Sequence, residues 1–374
     1  MVGGHPAGLA AAERELGLES TAVVFSRPAF GYDADGVVWD DGDRPLVCEL
    51  KRWRLLLRAL RDFDVVHFNF GSTVAPQRIP ADAPGVEIAT SPRDRAYRAY
   101  SRFLEQRDLP LLKRAGKAVF VTFQGDDARQ GDVSARLRVN GASEAAPGHY
   151  TPASDVDKRR RIAGFDRYAD GIYALNPDLL RVLPPRARFV PYAHVDPRTW
   201  QPGQPPGRGR PLVLHAPTNR EIKGTRFVLD AVSRLHAEGV EFDFELVEGL
   251  TQSELKARCA RADLVVDQLL VGWYGGLAVE AMALGRPVVS YLREEDLTGV
   301  PREMREQLPL IRAEPSTIYG VLKEMLTTRR RDLAELGRRS RDYVVRWHDP
   351  RSVAQQLIAD YEAAVRRVRR GSRA

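Results

Sequence analysis

Two cysteines in 374 residues, Cys48 and Cys259, are too few and too far apart for a disulfide framework or a cysteine-rich zinc site. No window approaches about 18 uninterrupted apolar residues, so a membrane-spanning helix is not expected. The sequence does not open with a basic leader and an apolar run, which argues against a signal peptide. A reducing, cytoplasmic setting fits these absences. Lysine is scarce: 7 of the 57 basic residues, against 50 arginines. That skew reads as the bias of a GC-rich coding sequence, with arginine as the default basic surface residue. The formal charge of +7 still invites an acidic partner: nucleic acid, anionic lipid or a phosphorylated substrate. Nucleic acid is the weakest of these, because no set of basic strands interleaved with aromatics occurs. The D-x-D triplets Asp33/Asp35 and Asp155/Asp157 lie in polar loops rather than after a buried strand, so no metal site is expected.

Short apolar runs alternate with amphipathic stretches. Residues 65–68, 118–123, 171–175, 188–192, 212–215, 242–247, 264–268 and 287–291 read as buried strands bounded by Gly, Pro or Asp. In 225–236, Phe227, Val228, Ala231, Val232 and Leu235 fall on one helical face. Thr251 and Glu254 form a capping-box pattern before the next helix. Such alternation predicts an α/β chain with parallel sheets covered by helices on both faces. The segment 196–210, DPRTWQPGQPPGRGR, has no periodicity and reads as a linker that halves the chain. A last helix is expected over 352–370, with Val353, Leu357, Tyr361 and Val365 in register. Two long stretches, 72–110 and 131–150, carry little strand signal and are expected to shape a pocket for a second substrate.

The start is unusual. Gly3 and Gly4 precede a helix-like stretch at 7–16, and 21–25 reads as a strand. In nucleotide-binding α/β folds a glycine loop normally follows a strand. A gap or a shortened strand is therefore expected at that place in the first sheet.

The richest block is 212–291, two strand–loop–helix units. In the first, Arg220 and Lys223 sit three positions apart in the loop APTNREIKG. Two cations beside a helix start could hold a diphosphate, or could simply be solvated. In the second, Gly272, Trp273, Tyr274, Gly275 and Gly276 form a loop, and a helix starts near Leu277 with Glu280 one turn in. A carboxylate there can accept from a ribose diol, or can serve the helix dipole alone.

The block GGLAVEAMALGRPVV resembles the donor-site helix of retaining glycosyltransferase family 4, which has the GT-B fold. FDVVHFNFG (63–71), VFVTFQGDDAR (119–129), FVPYAHVDPRTWQP (189–202) and REIKG match the same family in order. The resemblance implies two Rossmann-like doubly wound domains facing across a cleft, at 1–193 and 194–346. It also implies a C-terminal helix, 347–374, returning to the N-terminal domain. It implies transfer of a sugar from a nucleotide-diphosphate sugar to a hydroxyl acceptor, with retention and with no metal or other cofactor. Residue by residue, Arg220 and Lys223 would grip the pyrophosphate, and Glu280 the ribose. The amides of Gly275, Gly276 and Leu277 would face sugar or phosphate, and Gly3 and Gly4 would lie over the phosphate.

Two departures stand out. The family pattern has two glutamates eight positions apart, and position 272 is glycine. Asp267, Gln268 or the Trp273–Tyr274 pair are candidates for the lost sugar contact. Gln124 stands where the family often has histidine; it hydrogen-bonds but does not titrate. Asp126, Asp127, His67 and Asn69 complete the acceptor or sugar candidates. A sugar-nucleotide 2-epimerase of the same architecture, or a non-catalytic partner, are the alternatives. The arginines at 366, 367, 369, 370 and 373 read as a solvated helix end, or as a peripheral contact with the inner face of an anionic membrane.

Overall fold

The computed structural model describes residues 4–28, 30–79, 91–137, 148–206 and 209–371. Gly3 lies outside the described residues. Eleven short parallel strands form three sheets among them. β1 (Val23–Val24) pairs with β2 (Gly36–Val37) and with nothing else. β3 (Val65–Asn69), β4 (Ala118–Phe123), β5 (Gly171–Ala174) and β6 (Arg188–Phe189) make a four-stranded sheet in that order. β7 (Leu212–His215), β8 (Asp243–Leu246), β9 (Leu264–Val266), β10 (Val288–Ser290) and β11 (Ile311–Arg312) make the second large sheet, ordered β11-β10-β9-β7-β8.

Every residue of β4, β9 and β10 is buried, as expected of strands covered on both faces. The amphipathic helix Thr225–Ala237 buries Val228, Ala231, Val232 and Leu235 against β7 and β9 residues. The capping box forms: the Thr251 side chain accepts from the Glu254 amide, and Glu254 accepts from the Thr251 amide at 2.8 Å. Each such cap is worth about 1 kcal/mol.

The final helix, Pro350–Gly371, buries Val353, Leu357 and Tyr361 against Leu9, Ala12, Phe120 and Val190. It therefore crosses back onto the first half. Its Arg366 pairs with Glu362, one turn away on the same helix. No described helix is long and apolar enough to cross a membrane.

The stretch 72–110 differs from its reading as irregular chain. It contains the helices Pro92–Leu104 and Asp108–Arg114. Ser91 caps the first of these, and Tyr100 packs its hydroxyl between Trp53 and Glu49. The arginine-rich run hid that helix, because only one face of it is apolar. Within 131–150, Gly131–Ser134 is a helical turn.

The anomaly at the start is structural. Among the described residues, residues 23–24 do not join the four-stranded sheet. A cavity of about 720 Å3 is lined by Val23 and Val24 of β1 and by Val65–Asn69 of β3, among others.

Candidate active site

The second sheet reverses its strand order around β7, which has β8 on one side and β9 on the other. A crevice opens outside the carboxyl ends of strands at such a switch point. The loop after β7 carries Lys223, and the loop after β9 carries Asp267. Lys223 Nζ lies 2.9 Å from Asp267 Oδ1 and 2.5 Å from Gln268 Oε1. Asp267 is fully buried, and its Oδ2 accepts the Gly275 amide at 2.6 Å. One carboxylate thus ties the lysine to the N-terminus of the helix Gly276–Ala283. The first-turn amides of a helix have no partners within it and favour anions.

Arg220 is not brought to this cluster. Its guanidinium is exposed and pairs with Glu248. Gly275 also differs from its expected role, since Asp267 already takes its N–H. Gly276 and Leu277 remain at the helix start. Trp273 and Tyr274 are corrections. Both rings are fully buried and stack in the core of the second half, 4.3 Å between centroids. The Tyr274 hydroxyl is held by Tyr343 at 3.1 Å and by His348 Nε2 at 2.9 Å. Neither ring can face a sugar.

Position 272 now has a physical account. A Cβ on Gly272 would stand 2.5 Å from Arg293 Cβ and 3.2 Å from Asp296 Oδ2. Arg293 and the fully buried Asp296 carboxylate fill the space that a longer side chain at 272 would need. Asp296 also pairs with Arg181 of the first half, so this ion cluster joins the two halves.

Glu280 is buried in the helix Gly276–Ala283. Its Oε1 accepts from Gln252 at 3.0 Å and from the Tyr32 hydroxyl of the first half at 3.5 Å. Its Oε2 has no hydrogen-bond partner. Burial pushes its pKa up to about 7. His194 lies 3.7 Å from Glu280 Oε1, with its side chain 3% exposed and neither ring nitrogen hydrogen-bonded. A Cβ on Gly276 would come within 3.4 Å of its Nε2. Burial holds the His194 pKa down, at about 4, so the ring is neutral. His194, Tyr32 and Gln252 were not legible as site residues.

Gly4 caps the first helix, His5–Glu15, and faces the same junction; a Cβ there would meet Tyr32 Cδ1 at 2.7 Å and His194 Cβ at 3.2 Å. His5 accepts the Ala193 amide at 3.0 Å and leaves Nε2 without a partner.

On the first half a neutral network lines the carboxyl ends of the strands. Gln124 Nε2 donates to Asn69 Oδ1 at 3.2 Å, Asn176 donates to the Gln124 carbonyl, and Tyr192 donates to Asn176 Oδ1 at 2.9 Å. Phe70, just after β3, holds φ at 58°, a left-handed value uncommon for a bulky residue. Asp126 accepts from Tyr150 at 2.5 Å and faces His149 and Arg129, which keep its carboxyl well below the usual range. Asp127 turns inward instead. It accepts the Gln124 and Gly125 amides at 3.0 and 2.6 Å, and burial raises its pKa to about 6. It anchors the turn and does not face the cleft. His67 is likewise a core histidine, bonded to Tyr361 at 2.5 Å and Thr122 at 2.8 Å. Burial lowers its pKa to about 3.

The D-x-D triplets are structural: Asp35 accepts the Ala22 amide at 2.7 Å, and Asp155 accepts the Gly131 amide at 2.9 Å. Among the described residues no group of three or more His, Cys, Asp or Glu side chains is arranged to hold a metal ion.

No known family model matches the chain. An MMP α-(1→4)-mannosyltransferase of Mycolicibacterium hassiacum is 29% identical over 364 residues, covering 88% of this chain and 78% of its own. Among solved structures, Anabaena Alr3699/HepE in complex with UDP-glucose aligns over 97% of both chains at 12% identity, with a TM-score of 0.56. Sucrose-phosphate synthase of Thermosynechococcus elongatus covers 95% of this chain and 91% of its own at 14% identity, with a TM-score of 0.57. The two sheets, the switch-point crevice and the returning C-terminal helix make this chain a GT-B fold.

Proposed function

We propose that this chain is a glycosyltransferase that moves a sugar from a nucleotide-diphosphate donor to a hydroxyl acceptor. The observation that carries the reading is the Lys223–Asp267–Gly275 anchor at the switch point, with Glu280 and His194 beside it. The parts divide by chemistry. Lys223 and the amides of Gly276 and Leu277 are set to receive the negative charge of a departing diphosphate. A neutral His194 N–H adds a donor of the same sign. Glu280, with one oxygen unpartnered, is the acceptor for a ribose diol. Each preorganised donor aimed at developing charge is worth about 3 kcal/mol in a transition state.

Arg220 takes part in this reading by exchanging Glu248 for phosphate. Asn69, Gln124 and Asp126 face the acceptor side and bind by hydrogen bonds; none of them is assigned as a nucleophile. The reaction retains anomeric configuration and needs no metal, as the resemblance to glycosyltransferase family 4 implies. UDP-glucose stands first among donors to try because the HepE structure holds it, and a mannosyl donor follows from the mannosyltransferase relative.

The test is calorimetry with UDP and GDP, then transfer from their glucosyl and mannosyl forms to a panel of hydroxyl acceptors. Binding that is weakened at least tenfold by Lys223→Ala and Glu280→Ala supports the site. Wild-type protein that binds no nucleotide sugar sinks it. Chelator-insensitive turnover and a product anomer matching the donor, read by NMR, check the metal and stereochemical parts.

A further inference from the structure

Among the described residues, four large apolar side chains are at least 60% exposed: Leu46 at 77%, Leu50 and Phe103 at 70%, and Leu57 at 60%. An isolated exposed leucine is ordinary, but a cluster marks an interaction surface. All four lie on two helices of the first half, Pro45–Asp62 and Pro92–Leu104. The helices lie side by side: Trp53 Nε1 donates to the Tyr100 hydroxyl at 2.8 Å, and Tyr100 donates to Glu49 at 2.8 Å. On the first helix, Leu46, Leu50, Arg54, Leu57 and Arg61 recur every three or four residues and share one stripe. That stripe faces away from the buried Arg52, Leu56 and Ala59. On the second, Arg95, Ala99, Arg102 and Phe103 share the side away from the buried Ser101. Leu50 stands three positions from Trp53, and Phe103 three from Tyr100, so the two stripes border one contact line.

The same helices hold positive charge that nothing nearby neutralises. Arg54, Arg61, Arg93, Arg95, Arg98 and Arg102 make no ion pair among the described residues. The acids there are already engaged. Asp62 lies 3.9 Å from Arg58, Asp94 accepts from Ser91 at 2.7 Å, and Glu49 is bonded to Arg52 and Tyr100. The final helix differs, since its Arg366 pairs with Glu362 and its Arg369 with Asp64.

We propose that this two-helix face docks the chain on an anionic lipid bilayer. Leu46, Leu50, Leu57 and Phe103 enter the boundary between headgroups and acyl chains, and the arginines meet lipid phosphates. Arginine suits that boundary, because its stem packs on apolar surface while its guanidinium stays among the headgroups. The pattern of charge selects this partner. A second copy of the chain would set six unneutralised arginines against six. A nucleic acid would neutralise the arginines but leave the leucines in water. A bilayer satisfies both kinds of side chain at once. Each arginine held near an anionic surface strengthens binding about fivefold. The surface alone carries this inference, which stands apart from the proposed function.

The test is sedimentation of the full chain with vesicles of pure phosphatidylcholine and of phosphatidylcholine with about one third phosphatidylglycerol. The chain should bind the anionic vesicles at least about tenfold more tightly, and about 0.5 M salt should weaken that binding. Leu50→Ser with Phe103→Ser should lower the affinity at least about tenfold, and Arg54→Ser with Arg102→Ser about 25-fold. All four sites are exposed, so the melting midpoints of both variants should stay in place. Arg366→Ser with Arg369→Ser, on the final helix, should leave binding within about twofold. Equal affinity for the two kinds of vesicle overturns the proposal. So does binding that is lost in the final-helix variant and kept in the other two. A dimer in sedimentation that Leu50→Ser with Phe103→Ser disperses would assign the face to a second copy and overturn it. Binding of single-stranded DNA without binding of vesicles would overturn it in favour of nucleic acid.

Discussion

The two halves meet the cleft with opposite preparation. The second presents fixed charge on a complete five-stranded sheet, with a lysine, a buried aspartate and a helix start locked together. The first presents, beside the Asp126 carboxylate, a run of neutral amides and hydroxyls from Asn69 through Gln124 and Asn176 to Tyr192, on a four-stranded sheet. Charge that must receive a diphosphate benefits from preorganisation, because rearranging it during reaction costs energy. A hydroxyl acceptor needs only hydrogen-bond partners, which many neutral side chains supply.

Acid is expected to have the largest effect, through five buried histidines. Burial lowers the pKa of His5, His67 and His348 to about 3, and of His194 and His215 to about 4, from 6.5. The unfolded chain takes up protons near pH 6.5 that the folded chain refuses. Stability is therefore whole above pH 6.5 and lost as the pH falls toward 4. At pH 5 each histidine costs about 2 kcal/mol. Melting midpoints measured from pH 7.5 to 5 should fall steeply, and a flat profile would mean that these rings are hydrated.

Lys223→Ala comes next. It leaves the buried Asp267 carboxylate without its cation, which costs about 3–5 kcal/mol. Urea unfolding should report that loss, whereas Gln124→Ala on the neutral half should cost far less. Similar costs for both would erase the contrast between the halves.

Glu280→Gln sharpens it from the other side. Glu280 holds its proton to about pH 7 when folded, against about 4.5 when unfolded. Stability falls as pH rises between those values and stays lowered above them, by about 3 kcal/mol. The glutamine variant lacks that loss, so its advantage in melting midpoint should grow from pH 5 to pH 8.

His194→Ala should weaken UDP binding about tenfold while leaving the midpoint of the free protein unchanged or higher, because an unpartnered buried polar ring is removed. A large drop in midpoint with unaltered UDP affinity would make His194 a packing residue. The smallest effect belongs to Arg220→Ala, whose exposed pair with Glu248 should leave the midpoint unmoved. Unchanged UDP affinity in that variant would remove Arg220 from the phosphate site.

Much of the second half was legible. Lys223 and Glu280 stand out because a loop–helix start with a cation and an early carboxylate is a local pattern. The rings of Trp273 and Tyr274 misled, since aromatics beside glycines look the same whether they face a ligand or a core. Asp127 misled for a similar reason: sequence shows a carboxylate but not that backbone amides two and three residues back consume it. His194 carried no pattern at all.

By itself the sequence determined the alternation of strands and helices and the capping box at Thr251. These follow from periodicity and turn chemistry, which act between residues near in the chain. Only the tertiary structure decided that Asp267 would bind Lys223, that Arg293 would close the space beside Gly272, and that Tyr32 would reach Glu280. Those pairings join residues distant along the chain, and packing brings them together.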